Sequence, residues 1–143
     1  MRDFKKECIE ETDNALIKFE EKKKVLIFKN NKRQTLIKVQ VDGCEITKGL
    51  RCDNMLVNKQ TGDEFFVELK GVDVGHALEQ LDQTMKQLSD PKCKDKKVLA
   101  YIVCTNISPK ISSKRQVFIK KYKKIYGSSF DLVVKERRYA VNL

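Results

Sequence analysis

Asp53, Glu68 and Lys70 are the residues whose types and spacing could do chemistry: two acids and one amine that a hairpin would bring to a single face. Two β-rich runs, 53–58 and 64–70, flank a polar turn carrying Thr61 and Gly62, so the segment is expected to fold back on itself. With Thr61 and Gly62 as the loop residues, Gln60 faces Asp63, Asp53 falls opposite Lys70 and Met55 opposite Glu68. Asp53 and Glu68 then become diagonal neighbours at roughly 7–8 Å, within which two carboxylates can converge on one ion. The period of two turns Glu64, Phe66, Glu68 and Lys70 one way and Phe65, Val67 and Leu69 the other, leaving one face apolar and one mixed.

Mg²⁺ prefers oxygen ligands and is often held by one or two carboxylates while keeping several waters, which Asp53 and Glu68 suit. An amine two residues beyond the glutamate can orient or help deprotonate an attacking water, or neutralise charge on a pentavalent phosphorus. Acid-x-lysine triplets also occur at Glu20 and Lys22, Glu21 and Lys23, and Asp95 and Lys97, as expected in a chain with 35% charged residues. Only the triplet at Glu68 ends an apolar strand and has an aspartate placed across from it.

The elements around this hairpin follow from periodicity. Residues 2–24 read as a first helix, with Phe4, Cys8, Ala15 and Phe19 in one stripe and Glu11 at its flank. Residues 25–28 form a short strand, residues 30–32 a turn, and 35–42 alternate as a half-buried strand ending at Gly43. Asp73 caps a helix to about Leu88 whose core face is Val74, Ala77, Leu78, Leu81, Met85 and Leu88. His76, Gln80, Gln83 and Gln87 line another face, a stripe of hydrogen-bonding groups that starts near Lys70 and could touch a nucleic-acid backbone. After a polar loop at 90–96, the continuous apolar run 98–104 marks a central strand covered on both faces. Ser112 or Ser113 caps a helix to Tyr126 with Phe118, Tyr122, Ile125 and Tyr126 inward and lysines outward; Gly127 ends it, and residues 131–138 form a last strand.

The chain of 143 residues suits a single domain, 1–143, and 41% hydrophobic content is enough for a core without disulfides. Five cysteines, Cys8, Cys44, Cys52, Cys93 and Cys104, form no C-x-x-C pair and are expected to be reduced, mostly buried thiols. No signal-peptide pattern and no apolar run near ~18 residues is seen, so a cytoplasmic protein without membrane contact is expected. Of the net charge of +10, all the excess lies in residues 91–126, where eleven Lys/Arg stand against Asp95 alone. Such a concentration is the electrostatic footprint of a polyanion partner, most commonly nucleic acid, with Lys114, Arg115, Lys120, Lys121 and Lys124 as contacts beside His76 and Gln83.

The order helix, strands, hairpin, helix, strand, with Asp53 opening one hairpin strand and Glu68-Leu69-Lys70 closing the next before Gly71, resembles the PD-(D/E)XK nuclease superfamily over about residues 2–105. Cys52 stands where the name-giving proline would be. Gln80 resembles the helix glutamine of some branches, but the tyrosine that would follow it is missing, so no branch is assigned. The resemblance implies an α/β (α+β mixed sheet) fold with a restriction-endonuclease-like core, αβββαβ, followed by a C-terminal helix and strand. It implies a metal-dependent nuclease acting on DNA, with Asp53, Glu68 and Glu11 holding Mg²⁺ or Mn²⁺ and with Lys70 and Gln80 in catalytic roles. It also implies a homodimer, since members that cut both strands pair about a two-fold axis. A non-catalytic nucleic-acid-binding module on the same scaffold, or a protein-interaction domain, are the alternatives.

Overall fold

The apolar run Val98–Cys104 has side chains to bury on both faces, and the rest of the chain is arranged to cover them. The computed structural model describes residues 3–89 and 95–143. In chain order the strands and helices are β1 (Ile9–Thr12), β2 (Leu16–Glu21), β3 (Lys24–Lys29), β4 (Leu36–Gln40), β5 (Asn54–Asn58), β6 (Glu64–Lys70), α1 (Val74–Leu88), β7 (Val98–Cys104), α2 (Ser112–Tyr126), β8 (Phe130–Glu136) and β9 (Arg138–Asn142). Six strands form one mixed sheet in the order β1-β4-β5-β6-β7-β8, antiparallel up to β6 and parallel from β6 to β8. The other three, β2-β3-β9, form a second sheet.

Each face of the large sheet has its own core. On one, α1 and α2 pack Leu78, Leu81, Met85, Phe118 and Tyr122 against Met55, Phe66, Ala100, Ile102 and Leu132. On the other, the small sheet sets Ile17, Phe19, Leu26 and Phe28 against Leu56, Phe65, Val67, Leu69, Tyr101 and Val103. Phe28 sits at the centre of that second core, meeting Phe19, Phe65 and Tyr101 edge-on at centroid distances of 6.0, 5.4 and 5.5 Å.

The expected first helix is not formed. Residues 6–8 make a single 3₁₀ turn, and β1 and β2 follow it. The stripe of Phe4, Cys8, Ala15 and Phe19 has helical spacing, but Ile17 and Phe19 alternate with Lys18 and Glu20, and pairing with the apolar β3 buries both at once. The element order is therefore not αβββαβ: a mixed α+β sheet with two helices is present, and strands take the place of the leading helix. The chain also adds β9 beyond the expected last strand, and Ile125, read as inward, is 59% exposed. Ile111, not Ser112 or Ser113, occupies the cap position of α2, and its side chain makes no capping bond.

Cys8 and Cys44 are joined in a disulfide with Cα atoms 5.6 Å apart, contrary to the expectation of reduced thiols; Cys52 and Cys104 are free and buried. Pairing of Ile9 with Val39 brings Cys8 to the end of β4, and Gly43, at φ 75°, turns the chain so that Cys44 comes back beside it. Cys93 and most of the expected polar loop lie outside the described residues. Among the described residues no helix is long and apolar enough to cross a membrane.

Removing the Phe28 ring should leave a cavity between the two sheets. Phe28→Ala is expected to lower stability by about 3–5 kcal/mol in urea unfolding, while Leu16→Ala, at a residue 61% exposed, stays within about 0.5 kcal/mol of the parent.

Candidate functional site

Asn58 sets the hairpin register. Its Oδ1 accepts from the Gln60 and Thr61 amides at 2.9 and 3.1 Å, its own amide donates to the Asp63 carbonyl, and Gly62 takes φ 79°. The loop thus has four residues, 59–62, instead of the two expected, and the pairing becomes Met55 with Phe66 and Asn54 with Val67. A shift by two residues keeps every side chain on its expected face but moves its partner. Asp53, one step beyond Asn54, therefore lies opposite Glu68 rather than opposite Lys70.

The two acids are tied together through each other's strand. The Asp53 amide donates to Glu68 Oε1 at 3.0 Å, and the Leu69 amide donates to Asp53 Oδ2 at 2.8 Å. Each carboxylate thus spends one oxygen on backbone, while among the described residues Glu68 Oε2 and Asp53 Oδ1 are left for another partner. Glu68 is buried and Asp53 half-buried. Burial, and then the Asp53 charge, push the Glu68 carboxyl up to about 9, against a pull from Lys70. Burial likewise raises Asp53, opposed by its bond from the Leu69 amide and by Lys70.

Such a pair fits a hard divalent cation, because the positive charge would offset the burial cost that otherwise keeps a proton on Glu68. Among the described residues no group of three His, Cys, Asp or Glu converges, so the protein would offer two carboxylates and leave the other positions to water or substrate oxygens.

Glu11 does not belong to this cluster. It sits on β1, three strands from β6 in the sheet order, pairs with Ile37, and its carboxylate bonds Lys59 at 2.9 Å beside the opposite end of the hairpin. The nearby acids are Glu21, whose charge acts on both Asp53 and Glu68, and Asp42, whose charge acts on Asp53. Asp42 is engaged by Arg51 at 2.7 Å. Glu21 was detectable in principle: the alternation of Ile17 and Phe19 before three lysines and a second apolar run is a hairpin pattern, and it puts Glu21 at the tip.

Gln80 approaches from α1. Its Nε2 donates to the Arg51 carbonyl at 3.0 Å, two residues before Asp53, while its Oε1 is buried without a hydrogen-bond partner among the described residues. Thr84, one turn on, accepts from the Cys52 amide at 2.7 Å. These bonds anchor the chain leading into Asp53 to the helix, so Gln80 positions the acid. Burial raises the Cys52 thiol far above its ordinary range, which leaves it inert.

Asp73 caps α1 as expected, accepting from the His76 amide at 2.9 Å. His76 is half-buried in the first turn with Nδ1 3.6 Å from Glu79, and Gln83 is half-buried two turns on. Lys114 and Arg115 open α2 at the same end of the sheet: Lys114 Nζ reaches Gly75 in the first turn of α1, and the Arg115 charge is felt at Cys104. Lys120 and Lys124 are exposed further along α2. Lys121 is committed elsewhere, bonding Asp82 at 2.7 Å and lying over the Tyr122 ring. Lys96, part of the basic run, is buried in an ion pair with Glu64 at 2.9 Å.

No protein-family model, curated protein or solved structure matches this chain.

Because the folded state holds its Glu68 and Asp53 protons more tightly than the unfolded chain, their contribution is fully present below the ordinary carboxylate pKa and lost as pH rises above it, for Glu68 as pH climbs toward 9. With a chelator present, urea stability is expected to fall between pH 5 and 9, Glu68 contributing at most ~1.4 kcal/mol per pH unit. Glu68→Gln should flatten the decline, and added Mg²⁺ or Mn²⁺ should flatten it in the parent only.

Proposed function

We propose that this chain is a metal-dependent phosphodiesterase acting on nucleic acid, DNA first among the candidates, on a scaffold of the restriction-endonuclease-like kind. The observation that carries the reading is the Asp53–Glu68 pair, a half-buried and a buried carboxylate facing one another with an oxygen apiece to spare and Lys70 beside them. Its place also supports the reading, since ligands of open sheets bind beyond the carboxyl ends of parallel strands, and β6 and β7 end here.

Asp53 and Glu68 would hold Mg²⁺ or Mn²⁺, which when bound polarises a phosphoryl oxygen and offsets charge in the transition state. Lys70, on the same face of β6 as Glu68, would orient the attacking water or stabilise charge building on phosphorus. Gln80 would keep Asp53 in register by its grip on the Arg51 carbonyl. A homodimer would serve cleavage of both strands of a duplex.

Purified protein with Mg²⁺ or Mn²⁺ is expected to nick DNA. Glu68→Gln and Lys70→Ala should each lower the rate by about 10² or more with unchanged circular dichroism. Cleavage at the parent rate in both variants rules this assignment out, and salt-sensitive binding without cleavage in the parent would point to a non-catalytic binding module.

A further inference from the structure

Among the described residues, the non-glycine positions with a left-handed backbone are Lys22 (φ 45°), Lys23 (φ 68°), Arg33 (φ 50°) and Arg137 (φ 65°). All are long cations, although a Cβ there costs on the order of 1 kcal/mol that glycine avoids. Lys22 and Lys23 form the two-residue loop between Glu21 and Lys24, where a hairpin favours Asn-Gly. Packing does not require these side chains, since all are exposed. Strained backbone retained at exposed positions is a reason to look for a function.

Backbone bonds and strand register place three of these residues beside the strand ends that carry the candidate site. The Val25 amide donates to the Arg137 carbonyl and the Arg137 amide to the Cys104 carbonyl, both at 2.8 Å, and Cys104 is the register partner of Lys70. Glu21, adjoining Lys22, acts electrostatically on Asp53 and Glu68. The β2–β3 tip and the bend between β8 and β9 therefore border the ends of β6 and β7 from the small-sheet layer, and Lys114 and Arg115 border them from the helical layer. Arg33 lies at the other end, in the turn before β4, whose Leu36 pairs with Asn58.

We propose that Lys22, Lys23 and Arg137 form a phosphate-gripping arm on the small sheet that holds a polynucleotide backbone across the strand ends, against the Asp53, Glu68 and Lys70 cluster. The proposal rests on the phosphodiesterase reading and adds the surface on which the substrate lies. Phosphates would run between two cationic banks, the arm and the first turn of α2, instead of along the outer face of α2. Cations drawn from both layers suit a repeating line of phosphates better than a single anion.

The test is anisotropy binding of labelled duplex and single-stranded DNA to the full chain, in a Lys70→Ala background so that the probe survives. Lys22→Asn with Lys23→Gly installs the preferred loop residues, and Arg137→Gly and Arg33→Gly relieve the same strain, so each variant should fold with an equal or higher Tm. Joining the three arm changes is expected to weaken duplex binding roughly tenfold or more near 0.1 M salt and to make the slope of log affinity against log salt shallower by about 0.9 per lost contact. Arg33→Gly should leave both unchanged. Parent-like affinity and slope in the arm variant, or an equal loss from Arg33→Gly alone, overturns the arm while leaving the phosphodiesterase reading in place. Failure of the parent chain to retain either DNA at low salt overturns both.

Discussion

A buried carboxylate held face to face with a half-buried one is costly, and the end of the large sheet is organised around that cost. Where β5 opens away from β6, the strand ladder continues through side chains: the backbone amides of Asp53 and Leu69 find their acceptors on Glu68 and Asp53. Satisfying amides in this way fixes the position of both acids but supplies no countercharge. Burial, and then the neighbouring Asp53 charge, raises the Glu68 carboxyl well above the ordinary carboxylate range, and a cation at the same spot would replace the proton it holds there.

The same strand contains its own contrast. Glu64 and Glu68 lie on one face of β6, both buried, four residues apart. At Glu64 the charge is met by Lys96 at 2.9 Å and by the Ser89 hydroxyl at 2.7 Å, and Ser89 in turn bonds Tyr126 at 2.5 Å, tying the ends of both helices to the start of the strand. At Glu68 the opposing residue is another acid. One end of β6 closes its acid in an ion pair, the other leaves two acids opposed, and the core around Phe66 and Ile102 supplies the packed helix-on-sheet layer that holds both.

The small sheet does more than cover the second face. By burying Phe28 against Phe65 and Tyr101 it brings the β2–β3 tip over the ends of β6 and β7, and the backbone bonds through Arg137 link it to Cys104 of β7, the register partner of Lys70. The layer that a leading helix was expected to provide is thus formed by strands, and an acid, Glu21, reaches the site from it.

What the sequence determined by itself was whatever depends on local pattern. The period of two gave β4, β5, β6 and the shared face of Glu68 and Lys70; Asp73 and the 3.6-residue spacing gave α1; the unbroken run Val98–Cys104 gave a strand covered on both sides. Tertiary structure decided what depends on partners distant in sequence. A four-residue loop closed by Asn58 moved Asp53 from opposite Lys70 to opposite Glu68, because loop length turns on side-chain hydrogen bonds that periodicity does not encode. Residues 9–12 and 16–21 became strands because β4 and β3 offered edges on which Ile9 could be partly buried and Ile17 and Phe19 fully, a choice a lone segment with both spacings cannot make. Glu11 was thereby carried to the wrong end of the sheet and Glu21 to the right one, and Cys8 met Cys44 across 36 positions of chain.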